Sequence, residues 1–127
     1  MDWFGASEVL IAIVDDDPLV RAALARVVRA GGYAVDLFAS GVEFLEALAQ
    51  RVPRCVVLDR SMPRLDGFEV QLELARRGWC IPVILVSADC DERMRRRAEA
   101  LGAIACMPKP VDDSALIEVI AAAVAPG

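Results

Sequence analysis

The chain has 127 residues, 57% of them hydrophobic and 26% charged, which suits one globular domain with its own core and excludes a disordered polypeptide. Its net charge is −5, with 19 acidic and 14 basic residues, so the domain lacks the basic surface that direct nucleic-acid binding requires. No apolar run is long enough to span a membrane and the start of the chain has no secretory signal pattern, so we expect a cytoplasmic protein.

The contents of histidine and cysteine limit the chemistry further. The absence of histidine excludes Ser-His and Cys-His catalytic pairs. The cysteines form no Cys-x-x-Cys pair, so reduced thiols are expected and a zinc site is not; they are Cys55, Cys80, Cys90 and Cys106. For Cys90, in the loop after Ser87, the sequence favours an inert small residue over a redox-sensitive thiol.

Short apolar runs alternate along the chain with amphipathic helical patterns. The runs predict buried strands at residues 9–14, 33–38, 55–58, 82–87 and 103–107. The helical patterns cover residues 18–30, 41–50, 66–77, 90–101 and 113–124. This alternation predicts an α/β fold, a three-layer (βα)5 arrangement with a parallel sheet between two layers of helices.

The domain is expected to cover residues 8–124, between an N-terminal tail at residues 1–7 and a tail or linker stub at residues 125–127. Acidic residues mark the predicted helix starts. Asp17 before Pro18 is an N-cap, and Asp89 with Glu92 is expected to cap the fourth helix. No internal repeat or second domain is indicated.

Oxygen-bearing or basic side chains follow four of the five predicted strands. They are Asp15, Asp16, Asp59, Ser87 and Lys109. Parallel strands end at the same edge of a sheet, so we expect these groups to meet there. Converging carboxylates repel one another without a cation, and an all-oxygen ligand set favours Mg²⁺. A lysine and a hydroxyl beside the ion suit a phosphoryl group, for which Asp59 is either a metal ligand only or also the nucleophile.

These motifs resemble the receiver domain of two-component response regulators, over about residues 8–124. The matching segments are Ile13-Val14-Asp15-Asp16-Asp17-Pro18, Val57-Leu58-Asp59-Arg60-Ser61-Met62-Pro63, Asp66-Gly67, Val86-Ser87-Ala88 and Pro108-Lys109-Pro110. The likeness is strongest to the branch of the nitrogen-fixation regulators, which continue into a helix-turn-helix. The resemblance implies a flavodoxin-like, doubly wound sheet with strand order 2-1-3-4-5.

The resemblance also implies a signalling phosphoacceptor and not an enzyme acting on other substrates. Asp59 would take the phosphoryl group from the phosphohistidine of a sensor histidine kinase. Asp16, Asp59 and the backbone carbonyl of Ser61 would bind Mg²⁺, with Asp15 acting through water. Lys109 would pair with the phosphate.

The switch residues implied by the resemblance are Ser87 and Cys106. Ser87 would close on the phosphoryl group. The position of Cys106, three residues before Lys109, is usually Tyr or Phe in the family, and Val111 also replaces a usual aromatic residue. Cysteine is too small to act as an inward-moving ring, so activation is expected to depend on the loop after Ser87 and the start of the fourth helix.

A phosphorylation-dependent homodimer is expected to use the fourth helix, fifth strand and fifth helix. Basic residues of the fourth helix would meet acidic residues of the fifth, although a solvated helix face and helix caps explain them equally well. These residues are Arg93, Arg95, Arg96, Arg97, Asp112, Asp113 and Glu118. The downstream effector is not identified by the sequence.

Two other functions are compatible with parts of the pattern. A phospho-independent pseudo-receiver, a pure interaction module, would explain Cys106 but not the intact acidic residues and Lys109. A Mg²⁺-dependent phosphohydrolase with an aspartyl nucleophile usually carries a second Asp two residues later, where this chain has Ser61.

Overall fold

The computed structural model describes residues 8–125, which form a five-stranded parallel sheet covered by five helices. The strands are β1 (Leu10–Val14), β2 (Ala34–Phe38), β3 (Cys55–Asp59), β4 (Val83–Ser87) and β5 (Ala103–Pro108). The helices are α1 (Pro18–Ala30), α2 (Gly41–Ala47), α3 (Gly67–Arg76), α4 (Glu92–Ala100) and α5 (Asp113–Val124). The expected N-terminal tail, residues 1–7, lies outside the described residues, as do residues 126 and 127 of the expected C-terminal tail.

The strands are hydrogen-bonded in the order β2-β1-β3-β4-β5, and all neighbouring pairs are parallel. The predicted doubly wound, flavodoxin-like order is therefore confirmed. In this order the chain builds the sheet outward in both directions from β1. The crevice at the carboxyl ends of β1 and β3 is the switch point at which such sheets bind ligands.

Two hydrophobic clusters cover the two faces of the sheet. Side chains of β3 alternate between them: Val57 packs in the cluster beneath α1 and α5, whereas Leu58 packs in the cluster beneath α2 and α3. All five residues of β3 are buried, which explains the uninterrupted apolar run of this strand. Within residues 8–125, no helix has both the length and the apolar character that a membrane span requires.

Helix α4 begins later than the sequence predicted. Its N-cap is Asp91, whose carboxylate accepts a hydrogen bond from the N–H of Met94, so the prediction of Asp89 as the cap was wrong. The N–H of Asp89 instead donates to the Ser87 hydroxyl oxygen at 3.2 Å. The turn that this hydrogen bond closes lies between the end of β4 at Ser87 and the start of α4 at Glu92. The strand end and the loop that follows it are thus one hydrogen-bonded unit.

Helix α2 ends earlier than the predicted boundary near Gln50. Its last regular residue is Ala47, and the next three N–H groups donate to carbonyls only three residues back; these donors are Leu48, Ala49 and Gln50. Such hydrogen bonds belong to a tighter turn than the α-helix, with poorer geometry. The predicted cap at Asp17 is present, and Asp66 and Glu69 form a capping box at the start of α3.

Candidate functional site

Three carboxylates meet where β1 and β3 end. Val14 and Leu58 are partners in the register of the sheet, so the residues that follow them are neighbours. One oxygen from each of Asp15, Asp16 and Asp59 lies within 4.8 Å of the others. Asp15 and Asp59 are buried, whereas Asp16 is exposed. A single cation could contact all three side chains at this spacing.

The Asp15 carboxylate is only partly satisfied. Its Oδ1 accepts a hydrogen bond from the Asp17 N–H at 2.9 Å, but its buried Oδ2 has no hydrogen-bond partner within the described part of the chain. Burial raises the pKa of Asp15; the hydrogen bond from Asp17 opposes this, and the negative charge of Asp59 adds to it. A buried carboxylate with an oxygen that accepts no hydrogen bond is a group that a bound cation would stabilise. The residues present therefore fit Mg²⁺.

Asp59 is 3% exposed at the carboxyl end of the central strand β3. Its Oδ1 accepts from the Ser61 N–H at 3.3 Å and lies 3.0 Å from the ammonium nitrogen of Lys109. Gly67 packs directly beneath this turn: a β-carbon there would lie 2.8 Å from both the Asp59 carbonyl oxygen and the Arg60 α-carbon. The glycine that follows the Asp66 cap thus allows α3 to start close to the end of β3.

Lys109 supplies the positive charge of the cluster. Its ammonium nitrogen lies 3.0 Å from Asp59 Oδ1 and 3.8 Å from Asp15 Oδ2. Burial alone would lower the pKa of Lys109, but the hydrogen bond and charge of Asp59, with the charges of Asp15 and Asp16, outweigh it, so the pKa is raised. The lysine is therefore charged and is held against the acidic residues.

Ser87 joins β4 to the two segments that flank the site. Its hydroxyl accepts from the N–H of Asp89, and its carbonyl accepts from the N–H of Lys109 at 3.0 Å. The residue is 4% exposed and lies at the end of the strand next to β3. A change at the Ser87 hydroxyl would therefore act on the loop that leads into α4.

Two cysteines lie beside this loop, which no local pattern predicted. The thiol of the half-buried Cys90 donates to the Ser87 carbonyl oxygen at 3.9 Å, and burial, with Cys90 adding to it, raises the pKa of the buried Cys106 of β5. No local spacing joins positions 90 and 106. Only the register that pairs Leu85 with Cys106, together with the path of the loop, brings them together.

Three of the arginines of α4 have partners within the domain, which the sequence did not predict. Arg97 lies 4.2 Å above the centre of the Phe68 ring, and Arg60, the residue after Asp59, lies 5.4 Å from it. Arg96 pairs with Glu92 at 3.0 Å, and Arg95 donates to the Cys90 carbonyl at 3.3 Å. These contacts connect α4 to α3 and to the loop after Ser87.

Comparisons with a family model and with known proteins identify relatives of this chain. The family model described as the response regulator receiver domain matches residues 11–121. The response regulator protein TmoT of Ectopseudomonas mendocina is 39% identical over 113 residues, which are 89% of this chain and 51% of that protein. Nodulation protein W of Bradyrhizobium diazoefficiens is 33% identical over 129 aligned residues, 96% of this chain and 57% of that protein.

A solved structure agrees with these matches. The response regulator receiver protein from Burkholderia phymatum superposes with a TM-score of 0.81 at 39% identity, over 92% of this chain and 95% of that one. The chain spans about half the length of the curated relatives it matches. The matched residues include the whole carboxylate cluster, Ser87 and Lys109. The chain therefore belongs to the response regulator receiver domain family.

Proposed function

We propose that this chain accepts a phosphoryl group on Asp59 from the phosphohistidine of a sensor histidine kinase, in a reaction that requires Mg²⁺. The observation that carries the proposal is the position of Asp59: a buried carboxylate 3.0 Å from the Lys109 ammonium, with oxygens of Asp15 and Asp16 within 4.8 Å. Family membership supports it. A nucleophile, a countercharge and a donor set for a hard cation are thus brought together at one sheet edge.

Each residue of the cluster has a part in the proposed reaction. Asp16, Asp59 and the backbone carbonyl of Ser61 would hold Mg²⁺, and Asp15 would act through water. When bound, the ion supplies positive charge next to the oxygens of the transferring group. Lys109, which directly follows β5, neutralises charge on the same oxygens. The positioning of these groups is the main contribution of the protein.

The proposed reaction is a displacement at phosphorus. A carboxylate oxygen of Asp59 forms the new bond to phosphorus, and the bond from phosphorus to the imidazole nitrogen of the kinase breaks. The electron pair of that bond stays with the imidazole, which takes up a proton. The chain in this proposal acts only on its own Asp59, in phosphorylation and in later hydrolysis, and has no other substrate.

The proposed output is a change in the loop between β4 and α4. The Ser87 hydroxyl would turn to the phosphoryl oxygens and give up the hydrogen bond that it accepts from Asp89. The loop would then move with the start of α4, which changes the face formed by α4, β5 and α5. Cys106 stays buried in both states as a passive filler.

Residues 8–124 are proposed to act as a complete receiver module of a cytoplasmic signalling protein. The kinase is its phosphodonor, and the effector is a domain or protein that reads the α4-β5-α5 face. A phosphorylation-dependent homodimer through this face is also proposed. The net charge of −5 supports a domain that does not contact nucleic acid directly.

One alternative has an observation in its favour. A phospho-independent pseudo-receiver would use the same fold for binding alone, and Cys106 at the usual aromatic position favours it. The pair of the buried Asp59 with Lys109 favours phosphoryl transfer, as does the buried Asp15 oxygen that accepts no hydrogen bond. A phosphohydrolase is disfavoured because Ser61 stands where its second acid would be.

The test is incubation of the purified chain with a small phosphodonor such as acetyl phosphate, with and without Mg²⁺. Intact-mass measurement should show one added phosphoryl group that depends on Mg²⁺. Asp59→Asn should abolish the addition, and Asp112→Asn, which neutralises the N-cap of α5 outside the carboxylate cluster, should not. Labelling of another residue in the Asp59→Asn variant would contradict the acceptor assignment. No labelling of the parent, with Mg²⁺ failing to bind, would favour the pseudo-receiver.

A further inference from the structure

A cavity of about 500 Å³ opens between the C-terminal ends of α3 and α4, beside the first residues of β4 and β5. Its volume is in the range of pockets that hold small organic molecules in proteins. None of the described residues that line it carries a charged side chain, and most of them are apolar. The cavity is therefore suited to an uncharged, largely apolar occupant.

The floor of the cavity is buried, whereas its rim is open to solvent. Leu74 of α3 and Val83 of β4 are 3% and 2% exposed and belong to the hydrophobic cluster on the α2–α3 face of the sheet. Gly78 and Gly102, which follow the C-caps of α3 and α4, are exposed at the rim, with no atom within 4 Å of the position of an added β-carbon. The half-buried Trp79 contributes an aromatic side chain to the lining. A ring-shaped apolar molecule that enters at the rim would lose contact with water against these side chains.

Gln71 is a polar residue of this lining and is 1% exposed. Its amide nitrogen donates to the carbonyl oxygen of Ala98 in α4 at 3.1 Å, which fixes the orientation of the amide because a carbonyl can only accept. The other amide atom, Oε1, is buried and accepts no hydrogen bond from the described part of the chain. A buried acceptor without a donor is costly, so a ligand with an N–H or O–H group would remove that cost.

The ends of two helices add to the acceptor character of the cavity. The last carbonyls of an α-helix have no partners within the helix, and the helix dipole places partial negative charge there. α3 ends at Arg76 and α4 at Ala100, and the residues just beyond them, Gly78 and Leu101, line the cavity. A donor group is therefore favoured over an anion, and the lack of a lining carboxylate disfavours a cation.

We propose that this cavity binds a neutral, largely apolar small molecule of one or two rings, whose N–H or O–H group donates a hydrogen bond to Oε1 of Gln71. Neither family membership nor the carboxylate cluster accounts for such a site. The lining includes Val83, the first residue of β4, whereas Ser87 ends that strand beside the carboxylates. The two sites thus lie at opposite ends of the strands, and this proposal does not depend on phosphoryl transfer.

The test compares indole with benzofuran, two bicyclic molecules of nearly the same shape, of which only indole has an N–H donor. Each compound is titrated into the isotope-labelled full chain, and the backbone amide signals of Gly78 and Gly102 are followed by heteronuclear NMR. Indole should shift these signals to saturation. It should bind roughly tenfold more tightly than benzofuran, because only indole satisfies the buried acceptor.

Three variants assign the binding to this cavity. Gln71→Met removes the acceptor at a similar side-chain length and should make the two compounds bind equally; the Ala98 carbonyl keeps a partner, because it also accepts from the Leu101 N–H at 3.1 Å. Ala75→Leu, at an exposed position of α3 in the lining, should fill part of the cavity and weaken both compounds. Ala121→Leu, at an exposed position of α5 outside the lining, should change neither affinity.

Three results would overturn the proposal. They are the absence of a saturable shift at Gly78 and Gly102 with either compound, equal affinities of the two compounds for the parent, and a preference for indole that survives Gln71→Met. Labelling of Asp59 by acetyl phosphate, with and without indole, is measured in parallel and should be unchanged. Labelling that falls as indole is added would place the compound at the carboxylate cluster and contradict this site. Failure of labelling in both samples would overturn the phosphoacceptor function and leave the binding result standing.

Discussion

The ammonium nitrogen of Lys109 lies 3.0 Å from Oδ1 of Asp59, and the two groups come from strands that are not adjacent in the sheet. β4 lies between them, and Ser87 at its end accepts the backbone N–H of Lys109. The positive charge is thereby anchored to the same strand end that carries the hydroxyl. This arrangement places the Asp59 carboxylate, the Lys109 ammonium and the Ser87 hydroxyl in a fixed relation to one another.

We expect Lys109→Met to destabilise the metal-free protein by about 1–3 kcal/mol, because the buried carboxylates Asp15 and Asp59 lose their counter-ion. Saturating Mg²⁺ should recover part of the loss. The matched control is Arg51→Met, which breaks an exposed pair with Asp36 and should cost about 0–1 kcal/mol. Urea denaturation measures both; equal losses for the two variants would show that Lys109 is not the counter-ion of the cluster.

Mg²⁺ is expected to raise the melting temperature, because an ion that binds only the folded state stabilises that state. The stabilisation is about 2.7 kcal/mol when the ion concentration is one hundred times the dissociation constant. Asp16→Asn should make the metal-free protein more stable, through lower repulsion, and remove most of the response to Mg²⁺. Asp17→Asn also removes a nearby charge but keeps an N-cap, so its response should match the parent. A parent melting temperature indifferent to Mg²⁺ at moderate salt would contradict the site.

The raised pKa of Asp15 predicts a pH dependence in the metal-free protein. A carboxyl whose pKa is higher folded than unfolded destabilises the protein at neutral pH, and this cost disappears as the pH falls below the unfolded value of about 3.9. Asp15→Asn should therefore be more stable than the parent at pH 7, because the amide carries no charge that burial destabilises. Chemical denaturation at several pH values should show that the difference in the free energy of unfolding between the variant and the parent shrinks as the pH falls. A difference that grows in acid would contradict the raised pKa of Asp15.

Ser87→Ala is expected to separate phosphorylation from its output under reducing conditions. Asp59 should still be modified, while the change in hydrogen exchange over residues 88–91 is lost, because the hydroxyl that reaches the phosphoryl oxygens is absent. Cys106→Ala should keep the coupling largely intact and cost roughly 1 kcal/mol in stability through the cavity it leaves. If the changes in hydrogen exchange on phosphorylation were centred on β5 and vanished in the Cys106→Ala variant, Cys106 would be an active switch element. That result would contradict the prediction.

Local patterns were sufficient to predict the order and type of every element in the described residues. Apolar runs ending in acid, capping residues such as Asp17 and Asp66, and terminating glycines act within a few residues, so they can be read without knowledge of the tertiary structure. The convergence of Asp15, Asp16, Asp59, Ser87 and Lys109 on one edge was also predictable. It requires only that the strands be parallel.

Tertiary structure decided the features that depend on register and on the path of loops. The cap of α4 is Asp91, while the N–H of Asp89 donates to the Ser87 hydroxyl; the sequence alone could not rank these two nearby acids as caps. Cys106 lies beside Leu85, in the cluster against which Cys90 packs, because pairing of β5 with β4 brings together positions that no local pattern connects. Strand pairing acts between distant segments, so the sequence determined which groups reach the site and the fold determined which of them touch.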